Sequence, residues 1–188
     1  MTTAALWYVG RGTGVVALVL FSVVVALGIA TRAARPLFGL PRFAVLAVHR
    51  GASLLSLVFL VIHVFTMVLD PSAPLRLVDV IVPFAGPYRP FWLGLGTVAA
   101  ELVVAVIVTS LSRHRIGYRA WRFVHWAAYV MWPVAVAHAI GTGTDNGRLW
   151  LWLTVAGCVA LIGVCIGWRL STGFAVRPQV ARQLAGVR

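Results

Sequence analysis

Five long apolar stretches alternate with short polar connections along the chain, at residues 12–30, 42–69, 91–111, 119–140 and 149–170. A helix that crosses a bilayer needs about 20 mostly apolar residues, and each stretch is close to that length or exceeds it. The apolar runs show no strand-like alternation, and open sheets cannot cross hydrocarbon because their edge groups stay unsatisfied. The pattern therefore predicts an all-α integral membrane bundle of five transmembrane helices with short loops. One domain over residues 1–188 accounts for the whole chain. The first stretch is long enough to span, and "GIATRAARPLFG" behind it is an Arg-rich linker, unlike a small-residue cleavage site, so it reads as a retained helix.

One connection is longer. Residues 70–90, "DPSAPLRLVDVIVPFAGPYRP", contain five prolines and are too interrupted to span. Within them "LRLVDVIV" predicts a short interfacial helix, which would form a lid over one end of the bundle. Between the last two helices, "GTGTDNGR" reads as a Gly-rich turn in which Asp145 or Asn146 could cap the fifth helix.

Composition supports the membrane reading. Of 188 residues 61% are hydrophobic and 11% charged, more apolar surface than a soluble domain of this size could bury. The net charge of +12 comes from sixteen basic residues, all Arg. Twelve of them lie by the connections 31–41 and 112–119 or after the last helix; Arg11, Arg76, Arg89 and Arg148 lie at the opposite ends. That asymmetry predicts an outside N-terminus, a cytoplasmic C-terminus and a basic tail at 171–188 near the cytoplasmic headgroups. Clustering between apolar runs makes lipid the partner of these arginines and argues against nucleic acid. Cys158 and Cys165 lie seven apart on one helix, too far for a disulfide, and read as packing residues.

Histidine carries the candidate chemistry. His114 falls in "SRHRIGYR" and reads as a solvated loop residue. The other four fall in two helices: His49 and His63 at the ends of "HRGASLLSLVFLVIH", and His125 and His138 at the ends of "HWAAYVMWPVAVAH". The intervals are fourteen and thirteen residues, about 20 Å of helical rise. These are alternate spans, so they run in the same direction. His49 then shares a depth with His125, and His63 with His138.

Ionisable groups at such depth need partners. Zinc would seek further ligands, and no cysteine or carboxylate lies at either depth. Haem iron fits best: the porphyrin supplies four nitrogens, two imidazoles complete the octahedron, and an apolar bundle suits the macrocycle. Geometry favours the second helix, where fourteen positions return to within about 40° of one face; thirteen positions leave His125 and His138 about 140° apart on an ideal helix. Pro133 lies between them, and a kink there, which would free the carbonyl of Tyr129, could swing His138 inward.

Neighbouring residues extend the candidate site. Ser56 lies midway between His49 and His63, and Gly51, Ala52 and Ser53 slim the same helix, either for a macrocycle or for close helix packing. Arg50 and Arg122 could hold haem propionates or contact headgroups. Met131 and Trp132 lie between the two depths, as packing residues or as an electronic bridge. Glu101, in the middle of the third helix, has three candidate roles: proton relay, hydrogen-bond partner of a quinone, or neutral acid bonded to a neighbouring helix.

With "LWYVGRGTG", "VHRGASLLSLVFLVIH", "TSLSRHRIGYRAWRFVH" and "HAIGTGTD" in place, the sequence over about residues 6–168 resembles the ferric-reductase-like transmembrane proteins. These include the membrane modules of ferric reductases and NADPH oxidases and the haem subunit of methionine-sulfoxide-reductase systems. The resemblance implies two b-type haems held by the four matching histidines: His49 with His125 on the cytoplasmic side, His63 with His138 on the outer side. It implies single-electron transfer across the cytoplasmic membrane, in bacteria by expectation, to an extracytoplasmic acceptor. Flavin and nicotinamide domains of the longer relatives have no counterpart here: no GxGxxG follows a strand. The donor is then expected to be a separate flavoprotein or a quinol, with a quinone as a further cofactor candidate. Two other readings use the same residues, a haem-bearing anchor subunit of a larger reductase and a non-haem metal or proton transporter.

Overall fold

In the computed structural model, residues 2–32, 39–73, 75–143 and 147–171 are described. Helix α1 covers Thr2–Ala30, α2 Arg42–Leu69, α3 Pro90–Leu111, α4 Arg113–His125, α5 Ala127–Thr142 and α6 Leu149–Leu170. There is no strand among the described residues. Helices α1, α2, α3 and α6 are each long and apolar enough to cross a membrane, and α4 with α5 makes a fifth span bent by 40°. The protein is a multi-pass membrane bundle.

Several expectations shift. Helix α1 starts about three turns before the apolar run, at Thr2, because Trp7, Tyr8 and Arg11 continue it without a breaker. The fourth span breaks at Trp126 and not at Pro133, which sits inside α5. At the break the Trp126 N–H is shared between the carbonyls of Arg122 and Phe123, both at 3.2 Å. This tightens the turn, and α5 restarts at Ala127 in a new direction. A second interruption lies at Gly117, whose φ of 80° and ψ of 161° are left-handed and extended. His114 is exposed as expected but belongs to α4 and not to a loop.

The core lies between the helices. Helix α1 packs along α2 and also against α5 and α6; α3 packs along α5. Ala17, Phe21, Ala99, Val103 and Met131 form its centre, with Trp132 packed against it. Trp132 donates its indole N–H to Ser22 Oγ at 2.8 Å, which ties α5 to α1 at mid-depth. Cys158 is buried and both cysteines are free, in keeping with a packing role.

One end of the bundle, here the loop end, carries the start of α1 and the segment 70–89; the other, the basic end, carries the connections after α1 and α3. Asp70 and Pro71 stop α2, and the Asp70 carboxylate accepts the Ser72 N–H at 2.9 Å. The expected interfacial helix is a single 3-10 turn, Leu77–Val80. It is pinned from both sides. Buried Asp79 takes Arg76 Nη2 at 2.8 Å and the Arg76 backbone N–H at 3.0 Å, while Thr97 of α3 donates to the Asp79 carbonyl at 2.7 Å. Phe84, at φ 66°, lies directly on Gly94, where any Cβ would collide with its ring. Arg89 precedes Pro90 at φ 39° and reaches across to the Gly141 carbonyl of α5 at 2.7 Å, a cation at a helix C-terminus. The N-cap of α6 is Arg148. Asp145, Asn146 and the tail 172–188 lie outside the described residues.

The Arg76 hydrogen bonds hold the Asp79 carboxyl below the ordinary carboxylate range. A depressed pKa adds stability in full above the unfolded value of about 3.9, and that contribution is lost as the pH falls through the lower folded value. Asp79→Asn is therefore expected to raise hydrogen exchange in segment 76–86 several-fold at neutral pH. The wild-type segment should reach comparable exchange, corrected for the intrinsic rate, only in strong acid.

Candidate functional site

Helices α2 and α5 do not pack tightly on one another; between them stand the four histidines. His49 faces His125 near the basic end, with ring centroids 6.5 Å apart and planes at 60°. His63 faces His138 near the loop end, at 6.4 Å and 78°. The break at Trp126 lets the thirteen-residue interval serve both depths, since each imidazole of the fourth span rides on its own helix segment.

Three of the four rings are anchored in the same way. His63 Nδ1 bonds the carbonyl of Gly10 at 2.6 Å, His49 Nδ1 that of Val24 at 3.1 Å, and His138 Nδ1 that of Trp92 at 2.9 Å. Each acceptor is an internal helix carbonyl, and in each case a glycine stands four residues later: Gly14, Gly28 and Gly96. A helical side chain leans over the turn N-terminal to its own Cα, so residue i+4 normally shields the carbonyl of residue i. Glycine leaves that carbonyl bare. A Cβ on Gly14 would lie 2.8 Å from His63 Nδ1, and one on Gly96 would collide with the His138 ring; Gly28 is looser, at 3.6 Å from His49. A carbonyl only accepts, so these three Nδ1 atoms carry the proton and each Nε2 keeps its lone pair.

The spacing within each pair is selective. An imidazole nitrogen lies about 1.15 Å from its centroid, so a direct N–H···N bond of about 2.9 Å would put centroids about 5.2 Å apart. Two imidazoles on one ion, with metal–nitrogen bonds of about 2 Å, would put them about 6.3 Å apart. The observed 6.5 and 6.4 Å match the second case. Two donors cannot complete a bare zinc site, and no cluster of three or more His, Cys, Asp or Glu suited to a metal occurs among the described residues. A group bringing four equatorial donors of its own fits.

Around the loop-end pair lies a cavity of about 460 Å³, lined mainly by apolar side chains from α1, α2, α3, α5 and α6 and roofed by segment 72–88. Gly14 and Gly96 belong to its wall. Arg11, whose guanidinium lies 5.2 Å from the Trp7 ring centre, is the cation in that wall.

The remaining candidates divide. Ser56 is buried between the histidines of α2 and donates to the Ser53 carbonyl at 2.8 Å. Trp132 sits between the two depths, held by Ser22. Gly51 is exposed with open space where a Cβ would stand, so it gives no room to the histidine rings; the glycines that do lie on α1 and α3. Arg50 is exposed and Arg122 half-buried. Among the described residues, Arg50 acts electrostatically on His49 and Arg32 on His125. Glu101 points outward on a stripe with Val104, Val108 and Leu111 and has no hydrogen bond or ion pair among the described residues. Its third candidate role, a bond to a neighbouring helix, is therefore not realised there.

Sequence reasoning did not find the carbonyl anchors or Arg11. The available signal was the spacing of "GRGTG" and "GLG" against the histidine depths, readable only once α1 and α3 are known to flank the pairs. Neither the curated proteins nor the solved structures gave a match. Residues 13–136 match the family described as Ferric reductase like transmembrane component, a segment that contains His49, His63 and His125 and ends before His138. That match covers most of a chain with this helical architecture, and the protein belongs to the ferric reductase like transmembrane component family.

Proposed function

We propose that the protein is a di-haem b-type cytochrome that passes single electrons across a membrane. The observation that carries this reading is the pair of imidazole spacings, 6.5 and 6.4 Å at two depths, each wide enough for one iron held between the two rings. His49 with His125 would hold one haem and His63 with His138 the other. When bound, such a haem would supply a one-electron couple whose potential depends on the histidines that hold it and on their burial.

The chain's own residues prepare the sites. Three Nδ1–H bonds to backbone carbonyls fix tautomer and ring plane before any ligand arrives. Gly14 and Gly96 keep the loop-end cavity open, and Arg11 in its wall offers a positive charge to a carboxylate-bearing ligand. Trp132, Met131 and Phe21 fill the space between the two depths and exclude water from it. The arginine asymmetry supports a cytoplasmic basic end. In that orientation a separate flavoprotein or a quinol delivers electrons near His49 and His125, and an extracytoplasmic acceptor takes them under segment 72–88.

Detergent-purified wild type is expected to show a Soret band and about two haems per chain, with His49→Ala and His63→Ala each lowering the ratio to about one. An absent Soret band after haem-supplemented expression, or full retention in both variants, overturns the proposal. Gly96→Leu should weaken the loop-end site alone, by about 10–100-fold in haem affinity. Haem titration of the depleted protein checks this, and Gly51→Leu, at a position with open space, should leave both sites intact.

A further inference from the structure

His125 is the exception among the four ligating candidates. Its Nδ1 is buried and has no hydrogen-bond partner among the described residues, whereas the other three imidazoles are each tied to a carbonyl. Among the described residues no backbone acceptor sets its ring plane. The histidine χ2 torsion is broad and roughly two-fold, so an unanchored ring would sample a range of planes.

A different contact does that task. The Trp121 indole stacks on the His125 ring with centroids 4.9 Å apart and planes 29° from parallel. Trp121 stands four residues before His125 on α4, so the two side chains share a helix face. The indole is itself fixed from outside the helix: its Nε1–H donates to Ser110 Oγ of α3 at 3.2 Å. Tyr118 backs it, with ring centroids 5.5 Å apart.

We infer that Trp121 is a positioning residue that holds the His125 imidazole in its ligating plane by stacking, in place of the carbonyl anchors used by His49, His63 and His138. The inference rests on the di-haem reading. A further consequence concerns electron density. An N–H bonded to a carbonyl makes the opposite nitrogen a more basic ligand, and His125 lacks that bond. The Trp121 stack touches His125 and not the loop-end pair, so its loss should register at one haem only.

The test uses the full chain in detergent, with haem-to-protein ratio, low-temperature EPR of the ferric low-spin signals and a redox titration as readouts. Trp121→Leu removes the ring face and is expected to broaden and shift one low-spin signal and move one titration component, the other staying as in wild type. The haem assigned to His49 and His125 is identified beforehand as the one lost in His49→Ala. Trp121→Phe keeps a ring face and is expected to restore the wild-type signal. The inference is overturned if Trp121→Leu leaves both signals unchanged, if it damages both haems equally, or if Trp121→Phe is as impaired as Trp121→Leu. Wild type without haem would instead overturn the di-haem reading itself, so the two failures are distinct.

Discussion

The structure depends on a hydrogen bond between an imidazole N–H and a helix carbonyl that already belongs to its own ladder. Such carbonyls are ordinarily hidden beneath the side chain one turn later. Replacing that side chain by hydrogen lets a second acceptor direction open without breaking the helix, because a carbonyl oxygen has two lone pairs. In a bilayer this is valuable. Water is absent, so a polar ring must find its partner within the protein. Gly14, Gly28 and Gly96 place that partner on α1 and α3, and the histidines of α2 and α5 thereby acquire fixed planes.

The surrounding contacts keep those two helices in register with the rings they hold. The Trp92 carbonyl that takes His138 lies in the first turn of α3, and the same turn is locked to the end of α5. Arg89 bonds the Gly141 carbonyl at 2.7 Å, and the Trp92 ring lies directly on Gly141. Helix ends fray unless their free carbonyls are met. Here the loop end is closed by side chains that also fix the carbonyl bonded by His138, so packing and histidine geometry are one construction.

Much of this was legible in the sequence. Apolar runs of spanning length are unambiguous because the bilayer imposes a minimum, and the histidine intervals paired the residues by depth before any coordinate. Legibility failed where two helices had to be known together. Gly51, with Ala52 and Ser53, looked like the slimming stretch because it stands beside His49 in sequence, yet Gly51 faces open space, and the glycines that meet the imidazoles lie on other spans. The bend was assigned to Pro133 by a sound local rule. The helix passes through it and breaks at Trp126, where no sequence signal is evident. Glu101 looked like an interior acid because composition reports depth and not facing; only the packing of α3 on α5 shows that it turns outward.

The break at Trp126 sets an asymmetry between the two histidine-bearing spans. Helix α2 is one continuous rod, so its two rings are rigidly phased and any rotation of that rod moves both. The opposing span is articulated at 40°, with one ring on each arm. The arm carrying His138 borders the cavity beneath segment 72–88, while the arm carrying His125 ends at the other depth. Geometrically, α2 is the common datum for both depths, and the opposing span presents its two rings on separately directed segments.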